Sequence, residues 1–348
     1  MVEAPSPSGS EAAAVAALQR GLAERAVRTR VDAAGNLHVR AGTGPKRLLL
    51  LGHVDTVPGA LPVRDDGDTL HGRGTVDAKG PLCAAAAALA DLAESDAIGG
   101  DWTVHLVAAV GEEAPGSPGA TRLLHDLDAP DAMIVLEPSG WDAVTLGYKG
   151  HLRARLTCER PSAHAAGPDP SAGDRLVRTV ARLLDEIDRS EPADEGAFAR
   201  LTATVTDLRH QHDGVTARAS ATLGVRLPVH RPPDAAGAWL RERLEGSGVR
   251  MQVDDGVAAV RGPADGPLTR AFRVAIRTAG GRPRRIVKTG TSDWNVVARR
   301  WAVPALAYGP GDSALDHAPN ERIAWSEVDA ATYVLRTAIA RITANGVA

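Results

Sequence analysis

The order of predicted strands and helices changes near Gly150 and again near Gly262, and this limits the folds open to the chain. Before Gly150, short apolar runs alternate with helical patterns, as in an α/β domain. The elements predicted in this part are strands 47–51, 102–110 and 132–136 and helices 78–93 and 117–126. Past Gly262 the same pattern returns, with helix 268–278, strand 305–308 and helix 326–343.

The stretch between these two parts has a different pattern. Its predicted strands are 151–158, 201–209, 216–227 and 250–260, and its predicted helices are 175–188 and 234–244. The resulting β-α-β-β-α-β order is typical of a small ferredoxin-like α+β sandwich. We therefore predict a discontinuous α/β domain, formed by 1–149 and 263–348, with an α+β domain inserted at 150–262.

Bulk properties exclude several classes of protein. The net charge of −3 argues against general nucleic-acid binding, which needs a basic surface. Apolar runs are too short for a membrane span, and the first residues lack the pattern of a signal peptide. Cys83 and Cys158 stand far apart outside any CxxC motif, so we expect two reduced thiols rather than a disulfide. These features together predict a cytoplasmic protein.

Residues that could bind a metal follow the predicted strands. His53 and Asp55 come directly after the strand 47–51, at the position where open α/β sheets bind ligands. A carboxylate two positions from a histidine can fix the tautomer of the imidazole while its other nitrogen binds a cation. Taken alone, the pair is also compatible with an ordinary surface histidine.

Further candidates occur at other strand ends and loops of the same predicted domain. They are Asp77, Glu112, Glu113, Glu137 and His317. Asp77 precedes the helix 78–93 and could instead be its N-cap, and the adjacent glutamates could form a solvated turn. Together, however, histidine and carboxylate ligands suit zinc, manganese or cobalt, and two such ions can activate a water molecule.

Five segments, in this order, resemble the M20 family of metallopeptidases and deacylases, which includes acetylornithine deacetylase and glutamate carboxypeptidase. They are GHVDT (52–56), GRGTVDAKG (72–80), GEE (111–113), EP (137–138) and LDH (315–317). The resemblance implies a catalytic domain similar to zinc exopeptidases, a dimerising lid domain and two divalent metal ions. Zinc is the first choice for these ions, with cobalt and manganese as alternatives.

The resemblance also implies roles for individual residues. The implied ligands are His53 and Glu137 for one ion, Glu113 and His317 for the other, and Asp77 as a bridge between both. Glu112 would be the general base, and Asp55 would orient His53. In this family the peptide bond after the bridging aspartate is usually cis, so we expect a cis bond between Asp77 and Ala78.

Two residues of the inserted domain match lid residues of the family. His164, in PSAHAAG (161–167), would stabilise the oxyanion in the active site of a partner subunit, which implies a homodimer through the inserted domain. Arg226 would bind a substrate carboxylate. The alternatives are a turn histidine and an arginine on a solvated strand face.

Four segments resemble the lysine and ornithine biosynthetic hydrolases of this family. They are PSPSG (5–9), GYKG (147–150), KTGTSDWN (288–295) and YGPGDS (308–313), and they contain the candidate substrate-binding residues Lys149, Gly290, Thr291 and Ser292. Those enzymes release an amino acid from the C-terminal glutamate of an acidic amino-group carrier protein, or deacetylate its N-acetyl form. Lys149 and Trp294 depart from the residues usual in that branch, so the amino acid released stays open.

A cluster of basic residues lies just before the third of these segments. It consists of Arg282, Arg284, Arg285 and Lys288, and we call it the basic cluster. Clustered positive charge can steer an acidic protein partner, and a solvated loop is the equal alternative.

Other functions are weighed against this one. The nearest are an N-acetyl-lysine or N-acetylornithine deacetylase and a dipeptidase, which would use the same chemistry. A catalytically inactive relative that only binds a partner would be expected to have lost ligands, whereas all of the implied ligands are present. A Ser/His hydrolase is disfavoured because the chain has no GxSxG motif.

Overall fold

The computed structural model describes residues 1–164, 166–190 and 196–346, and it divides into two compact units. Unit 1 comprises Met1–Gly147, Arg261–Val287 and Ser292–Ala348. Unit 2 comprises Tyr148–Val260 and Lys288–Thr291. Among the described residues, no helix combines the length and the apolarity that a membrane crossing demands.

The elements have the following bounds. The strands are β1 (Thr29–Val31), β2 (Leu37–Gly42), β3 (Lys46–His53), β4 (Arg64–Asp65), β5 (Thr69–His71), β6 (Trp102–Ala109), β7 (Ala132–Val135), β8 (Ala143–Tyr148), β9 (Gly150–Pro161), β10 (Thr202–His212), β11 (Thr216–Leu227), β12 (Arg250–Val257), β13 (Val260–Arg261), β14 (Arg284–Lys288), β15 (Ala305–Ala307) and β16 (Arg322–Ala324). The helices are α1 (Ala12–Glu24), α2 (Lys79–Glu94), α3 (Pro118–Asp126), α4 (Ala172–Ser190), α5 (Pro233–Leu244), α6 (Pro267–Thr278), α7 (Asp293–Val297) and α8 (Trp325–Asn345).

The centre of unit 1 is a mixed sheet with strands in the order β1-β2-β6-β3-β7-β15-β8-β13, and β14 pairs with β8. The four strands β6, β3, β7 and β15 run parallel to one another. In β3, Leu48 to Leu51 are at most 1% exposed, as expected for a parallel strand that is covered on both faces. The predicted α/β class is confirmed.

Helices cover the sheet with small and apolar side chains. The alanine-rich helix α2 packs against α8, and α8 also packs against α6. Ala84, Ala85 and Ala88 are fully buried, and the absence of larger side chains at these positions lets neighbouring elements approach closely. The predicted helices 78–93, 268–278 and 326–343 correspond to α2, α6 and α8, with ends shifted by one or two residues.

Unit 2 contains a four-stranded antiparallel sheet with strands in the order β10-β11-β9-β12. Side chains alternate between buried and accessible along β9 and β11, and the buried side packs with α4 and α5 in one apolar cluster. The order of elements is the predicted β-α-β-β-α-β. One predicted strand was wrong in extent: 250–260 is two strands, because β12 ends at Val257 and β13 pairs with β8 in the larger sheet.

A chain of hydrogen bonds links two buried histidines in unit 1. The Asp32 carboxylate lies 3.1 Å from His38 Nε2, and His38 Nδ1 lies 3.0 Å from His105 Nε2. Since Asp32 also accepts from two backbone N–H groups and from the Asn36 amide, it acts as an acceptor toward His38. His38 therefore carries its proton on Nε2, and His105 Nε2–H donates to His38 Nδ1.

This arrangement predicts acid destabilisation of unit 1. Burial and the charge of Arg40 lower the pKa of His105 to about 3, and His105 Nδ1 has no hydrogen-bond partner among the described residues. Because the pKa in the folded state lies below the value of about 6.5 in the unfolded state, the stabilising contribution is complete above pH ~6.5 and is lost as the pH falls towards 3. From pH 7 to pH 5 we expect this group to lower the free energy of unfolding by about 2 kcal/mol.

Urea unfolding of His105→Gln across this pH range tests the expectation. Glutamine keeps a donor for His38 but does not titrate, so the free energy of unfolding should depend less steeply on pH than in the wild type. The exposed His125 offers a matched control as His125→Gln. An unchanged pH dependence in His105→Gln would show that other groups cause the acid destabilisation.

Candidate metal centre

Four parallel strands end at one edge of the unit 1 sheet, and the candidate ligands follow them. His53 is the last residue of β3, and Glu113 follows β6 through Gly111, whose φ of 70° suits a glycine turn. Glu137 follows β7, and His317 lies on the segment after β15. Parallel strands present their carboxyl ends at the same edge, so residues distant in sequence meet there.

One group of possible ligand atoms contains His53, Asp77 and Glu137, all within 4.8 Å of one another. The distance from His53 Nε2 to Asp77 Oδ1 is 3.1 Å, and that to Glu137 Oε1 is 3.8 Å. His53 is 1% exposed. A buried imidazole nitrogen facing two carboxylates is a donor set that suits a divalent cation such as zinc.

A second group contains Asp77, Glu113 and His317, with its atoms also within 4.8 Å of one another. His317 Nε2 lies 2.7 Å from Glu113 Oε1 and 3.0 Å from Asp77 Oδ2. Asp77 therefore directs Oδ1 to the first group and Oδ2 to the second. This is the geometry that a carboxylate bridging two ions requires.

Asp55 contacts one ligand of each group, His53 in the first and Glu113 in the second. Its backbone oxygen lies 3.0 Å from His53 Nδ1 and its Oδ1 lies 3.4 Å from the same nitrogen, so Nε2 is directed at the carboxylates. Its Oδ1 accepts the N–H of Glu112 and its Oδ2 accepts the N–H of Glu113, each at 3.0 Å. One buried carboxylate thus holds the end of β3 and the turn after β6 together.

Asp77 is not a helix N-cap. The N-cap of α2 is Ala78, and the Asp77 carboxylate faces the two histidines instead. The Glu321 carboxylate accepts the N–H groups of Val76 and Asp77 at 2.9 and 3.2 Å and forms an ion pair with Arg73 at 3.0 Å. The peptide bond between Asp77 and Ala78 is cis, as expected.

The pKa shifts of His317 and Asp77 show that the two ligand groups carry an excess of negative charge, which stabilises a positive charge placed among them. Hydrogen bonds to Asp77 and Glu113 raise the pKa of His317 to about 10. Burial opposes ionisation of Asp77, but hydrogen bonds with His317 and His53 hold the pKa of Asp77 below its usual range. The three carboxylates and two imidazoles of the two groups can be balanced by protons or by divalent cations, and the donor set fits two such cations.

Glu112 lies beside these groups without belonging to either. Burial, together with the charges of Asp293 and Glu137, raises the pKa of Glu112 well above its usual range, although His53 opposes the shift. Burial likewise raises the pKa of Asp293, at the start of α7, to about 7. A carboxyl group with a raised pKa can hold a proton near neutral pH, as a general base must after it has taken one.

The predicted substrate residues are distributed over both units. In unit 2, Arg226 Nη1 lies 3.4 Å from Thr291 Oγ1, and no ion pair of Arg226 occurs within the described residues. Gly290 has open space on its Cβ side. In unit 1, Ser292 precedes α7, and its N–H donates to Asn295 Oδ1 at 2.9 Å.

Two further predicted residues belong to unit 2. The buried ammonium group of Lys149 donates to the backbone oxygens of Ala197 and Arg200. His164 is exposed, and its Nδ1 accepts the N–H of Ala166, while Ala165 of the same motif lies outside the described residues. The roles of Lys149 and His164 toward a substrate stay predictions.

The basic cluster is partly neutralised by acids. Arg284 forms a hydrogen-bonded ion pair with Asp142 at 2.6 Å, and Arg285 lies 3.4 Å from Asp265. Arg282 is exposed. The positive charge available to a partner is therefore smaller than the sequence suggests.

Sequence reasoning missed three residues of this region. Glu321 belongs to none of the motifs described above. Asp293 and Ser8 lie in two of the segments that resemble the biosynthetic hydrolases, but no role was predicted for either of them. Ser8 Oγ donates to Asp55 Oδ2 at 2.7 Å. The local sequence carries no sign of the role of Glu321, since its partners Val76 and Asp77 lie 245 and 244 residues away. Only the folded arrangement reveals it.

Comparison with known proteins identifies relatives of this chain. The model of the family described as Peptidase family M20/M25/M40 matches residues 49–341. A relative from Deinococcus radiodurans, named LysW-lysine hydrolase, is 46% identical over 345 residues, which cover 98% of this chain and 94% of the relative. A relative from Thermococcus kodakarensis, named putative LysW-lysine/LysW-ornithine hydrolase, is 38% identical over 94% of this chain and 86% of the relative.

Solved structures show the same fold. An M20 family metallo-carboxypeptidase from Sulfolobus solfataricus has a TM-score of 0.77 at 18% identity, covering 98% of this chain and 96% of that chain. A tripeptidase from Staphylococcus aureus has a TM-score of 0.79 at 18% identity, covering 99% and 96%. The family match spans most of the sequence, and the chain belongs to peptidase family M20/M25/M40.

Proposed function

We propose that this protein is a two-metal amide hydrolase that releases lysine, ornithine or a related diamino acid from the C-terminal glutamate of an amino-group carrier protein. The chemistry is supported by the two ligand groups that share Asp77, with Glu112 beside them. The substrate class is supported by the 46% identity to a relative named LysW-lysine hydrolase. Family membership alone would not distinguish this substrate from a peptide.

Two divalent ions, which we propose to be zinc, would be held by the two ligand groups. His53 and Glu137 would hold one ion, Glu113 and His317 the other, and Asp77 both. When bound, such a pair supplies Lewis acidity that activates water and polarises the amide carbonyl. In the proposed reaction Glu112 accepts the proton of the attacking water and later donates it to the departing nitrogen.

We further propose that Arg226 binds the carboxylate of the amino acid that is released. Burial lowers the pKa of Arg226, and its hydrogen bond in the described part of the chain is to a neutral hydroxyl, that of Thr291. A half-buried guanidinium without an acidic partner is suited to a planar carboxylate, which can accept two hydrogen bonds from it.

Replacing this guanidinium is expected to weaken substrate capture. For Arg226→Ala we expect kcat/KM to fall about tenfold to a hundredfold, mainly through KM, because a charge-assisted contact is lost. Arg218→Ala is a matched control on the same strand, since Arg218 is 62% exposed and pairs with Glu159. Equal losses in the two variants would remove Arg226 from substrate binding.

A comparison of two substrates tests the proposed function. The metal-loaded enzyme is incubated with a carrier protein that bears lysine on its C-terminal glutamate and, in parallel, with N-acetyl-lysine, and release of free lysine is followed. Release from the carrier protein with little from N-acetyl-lysine is expected. Rapid release from N-acetyl-lysine, with the carrier protein left intact, would make the protein a deacetylase instead.

The two cysteines support the proposed cytoplasmic location. Cys83 and Cys158 are both free thiols, and Cys158 is buried. Such thiols persist most readily in a reducing compartment.

We also propose a homodimer formed through unit 2. Strand β10 is at the edge of the unit 2 sheet, and most of its side chains are exposed. Leu208 on this strand is 55% exposed and Val205 is 36% exposed. An exposed edge strand that carries apolar side chains can pair with another chain, and a second copy of this chain is the partner that we propose.

Introducing a charge on this strand should disturb the dimer. We expect the wild type to sediment as a dimer and Leu208→Lys to shift towards monomer, because lysine on an edge strand opposes pairing. Val274→Lys, at a residue 36% exposed in unit 1, is the control and should remain dimeric. A wild type that sediments as a monomer at micromolar concentration would contradict the proposal.

A further inference from the structure

The residues just before α1, around Ser6 and Pro7, are hydrogen-bonded to residues 54–56, which follow β3. The N–H of Thr56 donates to the backbone oxygen of Ser6 at 2.9 Å, and Ser6 Oγ donates to the backbone oxygen of Val54 at 2.8 Å. Pro7 and Thr56 form a parallel bridge, and Ser6 is 1% exposed. The segment thus forms part of the buried surroundings of β3's last residues.

The next residue of the segment reaches the metal centre. Ser8 Oγ donates to Asp55 Oδ2 at 2.7 Å, and Asp55 is 0% exposed. The same Oδ2 accepts the N–H of Glu113, whereas Oδ1 accepts the N–H of Glu112 and lies near His53 Nδ1. Ser8 and the backbone N–H of Glu113 therefore donate to the same oxygen of Asp55.

We propose that Ser8 is a positioning residue for the metal pair and acts through Asp55 on Glu113. The proposal deepens the proposed function and rests on its metal centre. Ser8 touches neither ligand group itself, so its effect passes through the orientation of the Asp55 carboxylate.

The contacts make this effect unequal for the two ions. Without the hydroxyl, Oδ2 of a fully buried carboxylate keeps the N–H of Glu113 as its one donor in the described structure. A buried acceptor that loses a partner carries a desolvation cost, and the carboxylate can lower this cost by turning. Glu113 belongs to the group with Asp77 and His317, so that group should lose affinity first. His53 is less affected, because its Nδ1 also contacts the Asp55 backbone oxygen at 3.0 Å, which does not turn with the carboxylate.

Stepwise zinc affinities measure this effect without relying on activity. The metal-free protein is titrated with Zn²⁺ in competition with a chromophoric chelator, for the wild type and for Ser8→Ala. We expect one of the two affinities to fall about tenfold, the lower end of the effect known for residues that orient metal ligands, and the other to change less than about twofold. Ser8→Thr keeps the hydroxyl and should restore the wild-type affinities.

A control and three outcomes decide the question. Ser10→Ala is the matched control, because Ser10 is exposed, and it should bind both ions as the wild type does. Unchanged affinities in Ser8→Ala would overturn the proposal, as would equal losses in Ser8→Ala and Ser8→Thr with a lower thermal midpoint of the metal-free protein. A wild type that binds fewer than two ions would overturn the metal pair itself, and the proposed function with it.

Discussion

Replacing Glu112 with glutamine is expected to lower kcat by about a thousandfold while the protein keeps both metal ions. Glutamine has nearly the same shape but cannot accept the proton of the attacking water, and a positioned acid–base group contributes about 10²–10⁴ in rate. Glu112 belongs to neither ligand group, so the ligand atoms are left in place. Steady-state kinetics and metal analysis of the same preparation measure both quantities.

The control for this variant is Glu24→Gln, at an exposed position on α1. It should leave kcat and metal content unchanged. A Glu112→Gln enzyme that keeps more than about a tenth of the wild-type kcat would exclude Glu112 as the base. Loss of metal from this variant would instead indicate that Glu112 is a ligand.

Replacing Asp77 with asparagine is expected to remove both ions, whereas His317→Ala should remove one. Asp77 contributes an oxygen to each ligand group, and asparagine is neutral and offers a single oxygen. His317 belongs to one group, so the group of His53 and Glu137 stays complete in its absence. We expect metal content after dialysis to fall from two ions per chain to fewer than one in Asp77→Asn, with activity lost in both variants.

Asp68→Asn serves as the control, since Asp68 is exposed and is in neither group. Elemental analysis by plasma mass spectrometry gives the number of ions per chain. If Asp77→Asn kept two ions, or if Asp77→Asn and His317→Ala each lost one, the proposed bridging role of Asp77 would be wrong.

Much of the fold could be predicted because the strong signals are local. The apolar run of β3 and the alternating residues of β11 each determine an element by their own pattern, and strand 216–227 was predicted with the bounds that the structure has. Short elements carry little such signal. Strand β1 and the small sheet of β4, β5 and β16 were missed, since strands of two or three residues show no periodicity. The six-residue β2, which pairs with β1, was missed as well.

In the candidate site, too, local sequence patterns identified some residues and could not reveal the contacts between distant segments. Residues at the ends of strong strands, such as His53 and Glu113, could be singled out because parallel strands end at one edge. The competing interpretation of Asp77 as an N-cap was wrong, because capping is a local rule and the partners of Asp77 are two distant histidines. Ion pairs between distant segments, such as Arg284 with Asp142, are beyond local patterns for the same reason.

The contact between Glu321 and the backbone at Val76 and Asp77 has a consequence for how the protein is made. During synthesis, a nascent chain that ends before His317 already contains four of the five proposed ligands, but it lacks the last ligand and the acceptor that holds the Asp77 segment. Binding of both metal ions therefore has to follow translation of the residues up to Glu321. A translation product that ends before His317 is consequently expected to lack the second metal ion and hydrolase activity.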